Sequence, residues 1–321
     1  MKKYFLFAAA LFALASCNND EEITGNEPQE IRLSSSIAVQ TRATHNLDEA
    51  LKADEQVHVW VDDAGSGVTN PELYANNIFK AGARGALSGD TPMFFPSTGN
   101  NVNIYAIHGN FGSTDLDNFW GTPITHSVAQ DQQSSVTDAG KGYAVSDLVY
   151  CKKADVARQK SVVNLEFEHL LSKVEVVLVQ GNGAPGIKSV EIINTKLNAQ
   201  FTPDKASAWS VSAAGTITDG NPITIDNGLT NETDAKGTDE TKKVLNEAII
   251  VPQTLTNGTQ FIRVTTDKDG VLVYALDKGT EFNAGYKYRY TITANLTELV
   301  VTATITPWSD GGNTPGDATM Q

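Results

Sequence analysis

The chain contains only two cysteines, Cys17 and Cys151, among 321 residues, so a framework of disulfides is excluded. Cationic side chains are also scarce: 24 Lys and Arg stand against 38 Asp and Glu, a formal charge of −14. A surface of that sign disfavours nucleic acid and anionic membrane faces, and no nucleic-acid partner is expected. Residues 4–15 form an apolar run that is too short to span a bilayer as a helix. There is no HExxH, no GxSxG elbow, no Walker loop and no dinucleotide fingerprint between a strand and a helix. His45, His58, His108, His126 and His169 show no paired-ligand spacing and have no cysteine nearby, so no metal and no cofactor is expected. Carboxylates such as Asp115, Asp117, Asp267 and Asp269 sit in turn-like stretches, where Asp caps local backbone groups. No catalytic pair is assigned, and the chain is read as a non-enzyme.

What is present begins at the N-terminus. Lys2 and Lys3 precede the apolar run, and its end, Leu14-Ala15-Ser16-Cys17, matches the lipobox of exported bacterial lipoproteins. Residues 1–16 are therefore expected to be a signal peptide, with Cys17 lipid-modified and first in the mature chain. Removal leaves 321 − 16 = 305 residues, and loss of two lysines takes the charge from −14 to −16. That length suits two ordinary domains. Residues 17–29, with Asp20, Glu21, Glu22 and Glu27 and little apolar content, read as a disordered acidic tether. With Cys17 lipidated no intrachain disulfide remains. Cys151, behind Leu148-Val149-Tyr150, reads as a buried strand residue.

After the tether the pattern is that of strands. In residues 30–40 the odd positions Ile31, Leu33, Ile37 and Val39 are apolar, with the small Ser35 between them, predicting a strand with one buried face. Similar strands are expected at 57–61, 102–107, 162–167, 174–179, 190–193, 248–251, 261–265, 271–276, 286–294 and 299–306. Turn signals separate them, among them Asp62-Asp63-Ala64-Gly65, Asn257-Gly258 and Asp269-Gly270. Only residues 48–53 look briefly helical. Residues 115–160 read as irregular and 230–243 as an exposed loop. The expected fold is all-β, as tandem antiparallel sandwiches: an N-terminal domain over 30–160, a C-terminal one over 161–308 and a polar tail over 309–321. Phe111, Phe119 and Trp120 lie in the irregular region, where exposed aromatics suit carbohydrate contact; core packing is the commoner use.

The chain resembles the fimbrillin family of Bacteroides-type bacteria, whose members are fimbrial subunits and accessory pilins. The segments that carry this are the lipobox, Gln40-Thr41-Arg42-Ala43, Val57-His58-Val59-Trp60-Val61, Phe94-Phe95-Pro96, the stretch 165–174, Ile249-Ile250-Val251-Pro252-Gln253, Phe282-Asn283-Ala284-Gly285-Tyr286 and Ile305-Thr306-Pro307-Trp308. The resemblance implies two transthyretin-like β-sandwiches and transit through the outer membrane by lipid, with the acids behind Cys17 similar to a surface-export signal. It also implies a trypsin-like or Arg-specific protease that cuts between Arg42 and Ala43. Removing the strand of Ile31, Leu33, Ile37 and Val39 opens a groove for a strand of another fimbrial subunit, self or accessory. Leu299, Val301, Ala303 and Ile305 alternate in the same way and form the candidate donor, although periodicity alone serves equally well for a last strand of its own sheet. The implied destination is a cell-surface fimbrium that supports adhesion to a host or bacterial surface ligand. Two readings from other classes stay open at this level: a glycan-binding surface lipoprotein, needing exposed tryptophans on one face, and a β-sandwich hydrolase, needing two carboxylates across a cleft.

Overall fold

A computed structural model describes residues 27–37, 51–65, 72–112, 116, 119–180, 183, 186–205, 209–215, 222–230, 246–268, 270–295, 299–307 and 318–319. In chain order the first part comprises β1 (Leu33–Ile37), β2 (Gln56–Asp63), β3 (Glu72–Ala81), β4 (Leu87–Gly89), β5 (Val102–His108), β6 (Ile124–Ser127), the helical turn α1 (Gly142–Ser146), β7 (Val149–Val156) and β8 (Val163–His169). It continues with β9 (Ser172–Gln180), β10 (Ile187–Ile192), β11 (Asn198–Thr202), β12 (Ser210–Ala214), β13 (Ile223–Ile225), β14 (Leu229–Thr230), β15 (Asn246–Ile250) and β16 (Gln253–Leu255). The last strands are β17 (Gln260–Thr266), β18 (Val271–Ala275), β19 (Thr280–Phe282), β20 (Tyr286–Ala294), β21 (Leu299–Pro307) and β22 (Ala318–Thr319). The fold is all-β.

A seven-stranded sheet runs in the order β1-β8-β7-β5-β2-β3-β4. Period-two alternation makes it two-faced. Val57, Val59 and Val61 on β2, with Val102, Ile104 and Ala106 on β5, turn to one core together with Ile31, Leu33 and Ile37. Trp60, Tyr105, Ile107 and Tyr150 turn to the other, which continues through Phe119, Phe201 and the buried residues of the later sheets. Those sheets are six-stranded (β14-β9-β20-β21-β22, with β15 also on β9), four-stranded (β13-β10-β17-β18) and three-stranded (β12-β11-β6).

The seven-stranded sheet reaches His169, because β8 pairs with β7 and with β1. Several expectations are corrected here. Residues 115–160 are not uniformly irregular. They supply β6, which joins β11, and also α1 and β7. Of the expected helix at 48–53, residues 48–50 lie outside the described residues and 51–53 are not helical. Asp62 and Asp63 are not turn residues but buried ends of β2, and Asp62 is held by Lys205 Nζ at 2.9 Å. Cys151 stands where expected, buried in β7, and burial pushes its thiol up to about 12.

Buried histidines on β5, β6 and β8 hold α1 in place. His108 Nε2 lies 3.3 Å from the Ala144 carbonyl, His126 Nε2 lies 3.0 Å from the Ser146 carbonyl, and His169 Nδ1 lies 2.9 Å from Asp147. The two carbonyls belong to α1 and Asp147 follows it. Three imidazoles thus tie the short turn and the residue that follows it to the neighbouring strands.

Candidate functional site

The site begins with the sequence Leu33-Ser-Ser-Ser-Ile37, whose side chains alternate between buried and half-exposed. Ile31, Leu33, Ser35 and Ile37 are 3%, 5%, 6% and 1% exposed, so a single face of β1 is withdrawn from water. Burying each aliphatic side chain contributes roughly 1.5–3 kcal/mol. On the outer face Ser34 Oγ donates to Asn164 Oδ1 at 3.2 Å, and Asn164 Nδ2 donates to Ser36 Oγ at 2.8 Å.

Both edges of β1 are occupied. On one side it runs parallel to β8, in the register Leu33↔Val163, Ser35↔Leu165, Ile37↔Phe167, and the Val163 N–H donates to the Arg32 carbonyl at 2.8 Å. On the other, the Ile31 N–H donates to Met93 at 2.8 Å and the Phe95 N–H donates to Gln29 at 2.9 Å, with bridges Glu30↔Phe94 and Ser34↔Ala86. β1 is therefore wedged between β8 and the 85–95 segment. Without it both borders would lose backbone partners and a row of apolar pockets would open onto the first core.

The middle of the seat is narrow. Gly85 sits at φ +77°, and a Cβ there would collide with the Ser35 carbonyl oxygen. Ser35 Oγ in turn reaches the Gly85 carbonyl at 3.3 Å. The third inward position thus holds a small buried side chain, and its backbone lies against Gly85. The walls come from Met93, Phe95, Val163, Leu165 and Phe167, all buried in the same cluster. The sequence signalled 163–167 by alternation, whereas Gly85 and Met93 carried no such signal.

Of the expected site residues, Ile31, Leu33 and Ile37 meet in this seat. Cys17, Val39, Arg42 and Ala43 lie outside the described residues. Leu299, Val301, Ala303 and Ile305 are elsewhere, on β21, which pairs with β20 from Leu299↔Ala294 to Pro307↔Tyr286. Ala303 is buried, and Val301 and Ile305 pack partly against the second core. Among the described residues, β22 covers the far edge of β21 at Thr304 and Ile305.

The fold is shared with solved structures. A Bacteroides ovatus protein described as a cell adhesion protein superposes with a TM-score of 0.62 at 18% identity, covering 88% of this chain and 98% of that one. A Bacteroides uniformis protein with the same description gives 0.58 at 16% identity, over 87% and 98%. No curated protein matches the sequence. The profile of the Fimbrillin-like family matches residues 41–308, so the chain belongs to the Fimbrillin-like family, structural proteins rather than enzymes.

Proposed function

We propose that this chain is a fimbrial subunit exported as a lipoprotein through Cys17, cut between Arg42 and Ala43 by a trypsin-like or Arg-specific protease, and joined to a neighbouring subunit by a strand placed in the β1 seat. The observation that carries this reading is β1 itself, a short strand with three buried aliphatic residues and a partner on each edge. The family match begins at residue 41, beyond β1, in keeping with a first strand that is not part of the assembled subunit. Loss of the strand exposes unpaired N–H and C=O groups and apolar pockets, a state that an incoming strand relieves by backbone pairing and alternate side-chain insertion.

The alternating series of β21 can be set against the seat in order. Aligned with Ile31, Leu33, Ser35 and Ile37, the series Leu299, Val301, Ala303, Ile305 places its smallest side chain at the buried Ser35 position. Donation requires β21 to leave β20. Its complete pairing with β20 favours a second arrangement, in which this subunit accepts a strand but keeps its own, as at the end of a fimbrium. The lipid serves delivery in either case, and the domain division at 160/161 and the tail at 309–321 enter this reading unchanged.

Limited trypsin digestion of the precursor, run unboiled on gels with and without a synthetic peptide of residues 299–306, tests this. The cut wild type forms a ladder of multimers and Arg42→Ala does not. Capture of the peptide without a ladder identifies an acceptor that does not donate. If trypsin leaves β1 attached, or if cutting yields neither multimers nor peptide capture, the polymerisation reading fails.

A further inference from the structure

Between β5 and β7 the chain leaves the first sheet and returns to it, and on the way residues 124–134 meet three later sheets at their edges. The first meeting is β6 itself, antiparallel to β11 from Ile124↔Phe201 to Ser127↔Asn198, on the side away from β12. Side chains cross-link the pair: Gln200 Nε2 donates to Thr125 Oγ1 at 2.8 Å, and Ser127 Oγ donates to Asn198 Oδ1 at 2.7 Å. The Val128 N–H extends the contact by donating to the Leu197 carbonyl at 2.9 Å.

The second meeting is with β13, whose other edge is taken by β10. Thr224, in the middle of β13, exchanges both backbone bonds with the segment. Its N–H donates to the Gln130 carbonyl at 2.7 Å, and its carbonyl accepts from the Gln132 N–H at 2.9 Å. Just beyond, the Ser134 N–H donates to the Asp226 carboxylate at 3.0 Å.

The third meeting is made by a side chain. Ile249 of β15 stands opposite Lys173 of β9, but both of its backbone polar groups go to Gln132. The Ile249 N–H donates to Gln132 Oε1 at 2.8 Å, and Gln132 Nε2 donates to the Ile249 carbonyl at 3.0 Å and to the Ala129 carbonyl at 2.9 Å. A primary amide offers an acceptor and two donors, so it can stand in for one residue of a neighbouring strand. Gln132 and Ile249 are both 0% exposed, and water cannot replace the amide there.

We infer that residues 124–134 are a built-in donor strand, supplied by the first part of the chain to the later sheets and anchored by Gln132, so that the two parts unfold as one cooperative unit. The mode is the edge pairing by which a peptide adds to a sheet, made here within one chain. The interior has the same continuity: Trp60, Tyr105 and Tyr150 of the first sheet share a core with Ile124 and Val128 of the segment and with Phe201, Ile223 and Ile249 beyond it. A subunit that gives up β1 before a neighbour fills the seat thereby keeps its first sheet fastened to the rest. That consequence rests on the polymerisation reading, whereas the coupling is a property of the uncut chain.

The test equilibrates the uncut full chain in graded urea, labels it briefly with deuterium and compares peptides from β2 and β5 with peptides from β9 and β20. A single shared midpoint is expected. Ile104→Val, in the core that residues 31–167 form among themselves, should lower the midpoint of both peptide sets equally. Gln132→Ala should do the same, and in addition the Ile249 amide should exchange about tenfold or more faster, beyond any change at Val59. Should Gln132→Ala fail to fold, Gln132→Met, which keeps the length of the side chain without its amide, takes its place. Two separate midpoints in the wild type, a shift confined to one set of peptides, or an Ile249 amide that exchanges no faster overturns the inference. The polymerisation assay can fail without altering any of these readouts.

Discussion

His126 is completely buried, and its neighbours dictate its state. The Asn110 N–H can only donate, so Nδ1 must accept at 3.0 Å; the Ser146 carbonyl can only accept, so Nε2 carries the proton at 3.0 Å. Burial drives the imidazole down from 6.5 to about 4, helped by His108 and opposed by the Ser146 carbonyl and Asp147. The folded value is depressed, so the unfolded chain takes up protons first as pH falls. Stability is fully present above about 6.5 and is lost progressively toward 4. Between pH 7 and 5 this residue alone removes roughly 2 kcal/mol, measurable by urea unfolding at the two values. At Glu175, burial raises the carboxyl but Lys173, Lys287 and Arg289 more than reverse the effect, holding it below the ordinary value. Arg289 Nε lies 2.6 Å and Lys287 Nζ 3.6 Å from it, with Lys173 at 3.8 Å. Glu175→Gln removes the charge shared by Lys173, Lys287 and the one-third-exposed Arg289, while Lys173 keeps Glu247 at 3.3 Å, and chemical denaturation should show a loss of about 3 kcal/mol. Gly85→Ala places a Cβ against Ser35 at a positive φ, and a melting curve should show about 2 kcal/mol or more of destabilisation.

At the scale of elements, β1 is short and yet anchored by buried side chains. Ile37 is 1% exposed, so Ile37→Ala costs the uncut chain about 2–4 kcal/mol. After trypsin cleavage the shortened fragment should leave faster than the wild-type one, as seen by gel filtration of timed digests. A fragment that departs at the same rate would mean that the backbone ladder, not the apolar face, retains it. Strands with unbroken alternation were legible in the sequence, among them β2, β5, β8, β20 and β21. β3 was not, because the bulge at Asn76 breaks the period and Ile78 turns outward, 48% exposed. β7 was read only at its start: Lys152, Lys153 and Asp155 are exposed along its middle, so the ladder to β5 holds it without an apolar signature. β6 is four residues long and gains its identity from β11, far along the chain.

For the molecule as a whole, the proposed processing would have β1 contribute to stability before cutting and its seat to assembly afterwards. The precursor is therefore expected to melt higher than the cut monomer, and the peptide of residues 299–306 should restore much of the difference. A peptide carrying Ala303→Leu should not restore it, since the Ser35 position it would take is buried, with Oγ 3.3 Å from the Gly85 carbonyl, and a leucine there would be overpacked. Equal rescue by both peptides, followed by calorimetry, would falsify the proposed register.

The sequence by itself determined the all-β class, the alternation that commits Ile31, Leu33 and Ile37 to one buried face, the placement of Cys151 inside a strand and the family resemblance that the profile match bears out. These are local properties, since period-two patterning needs no knowledge of a partner. Only the tertiary structure decided that β1 runs parallel to β8, that Gly85 narrows its seat, that the first sheet extends to His169 and that residues 124–134 pair with strands of the later sheets. Each of these depends on contacts between residues distant in the chain, and alternation states which face is buried but not what it will be buried against.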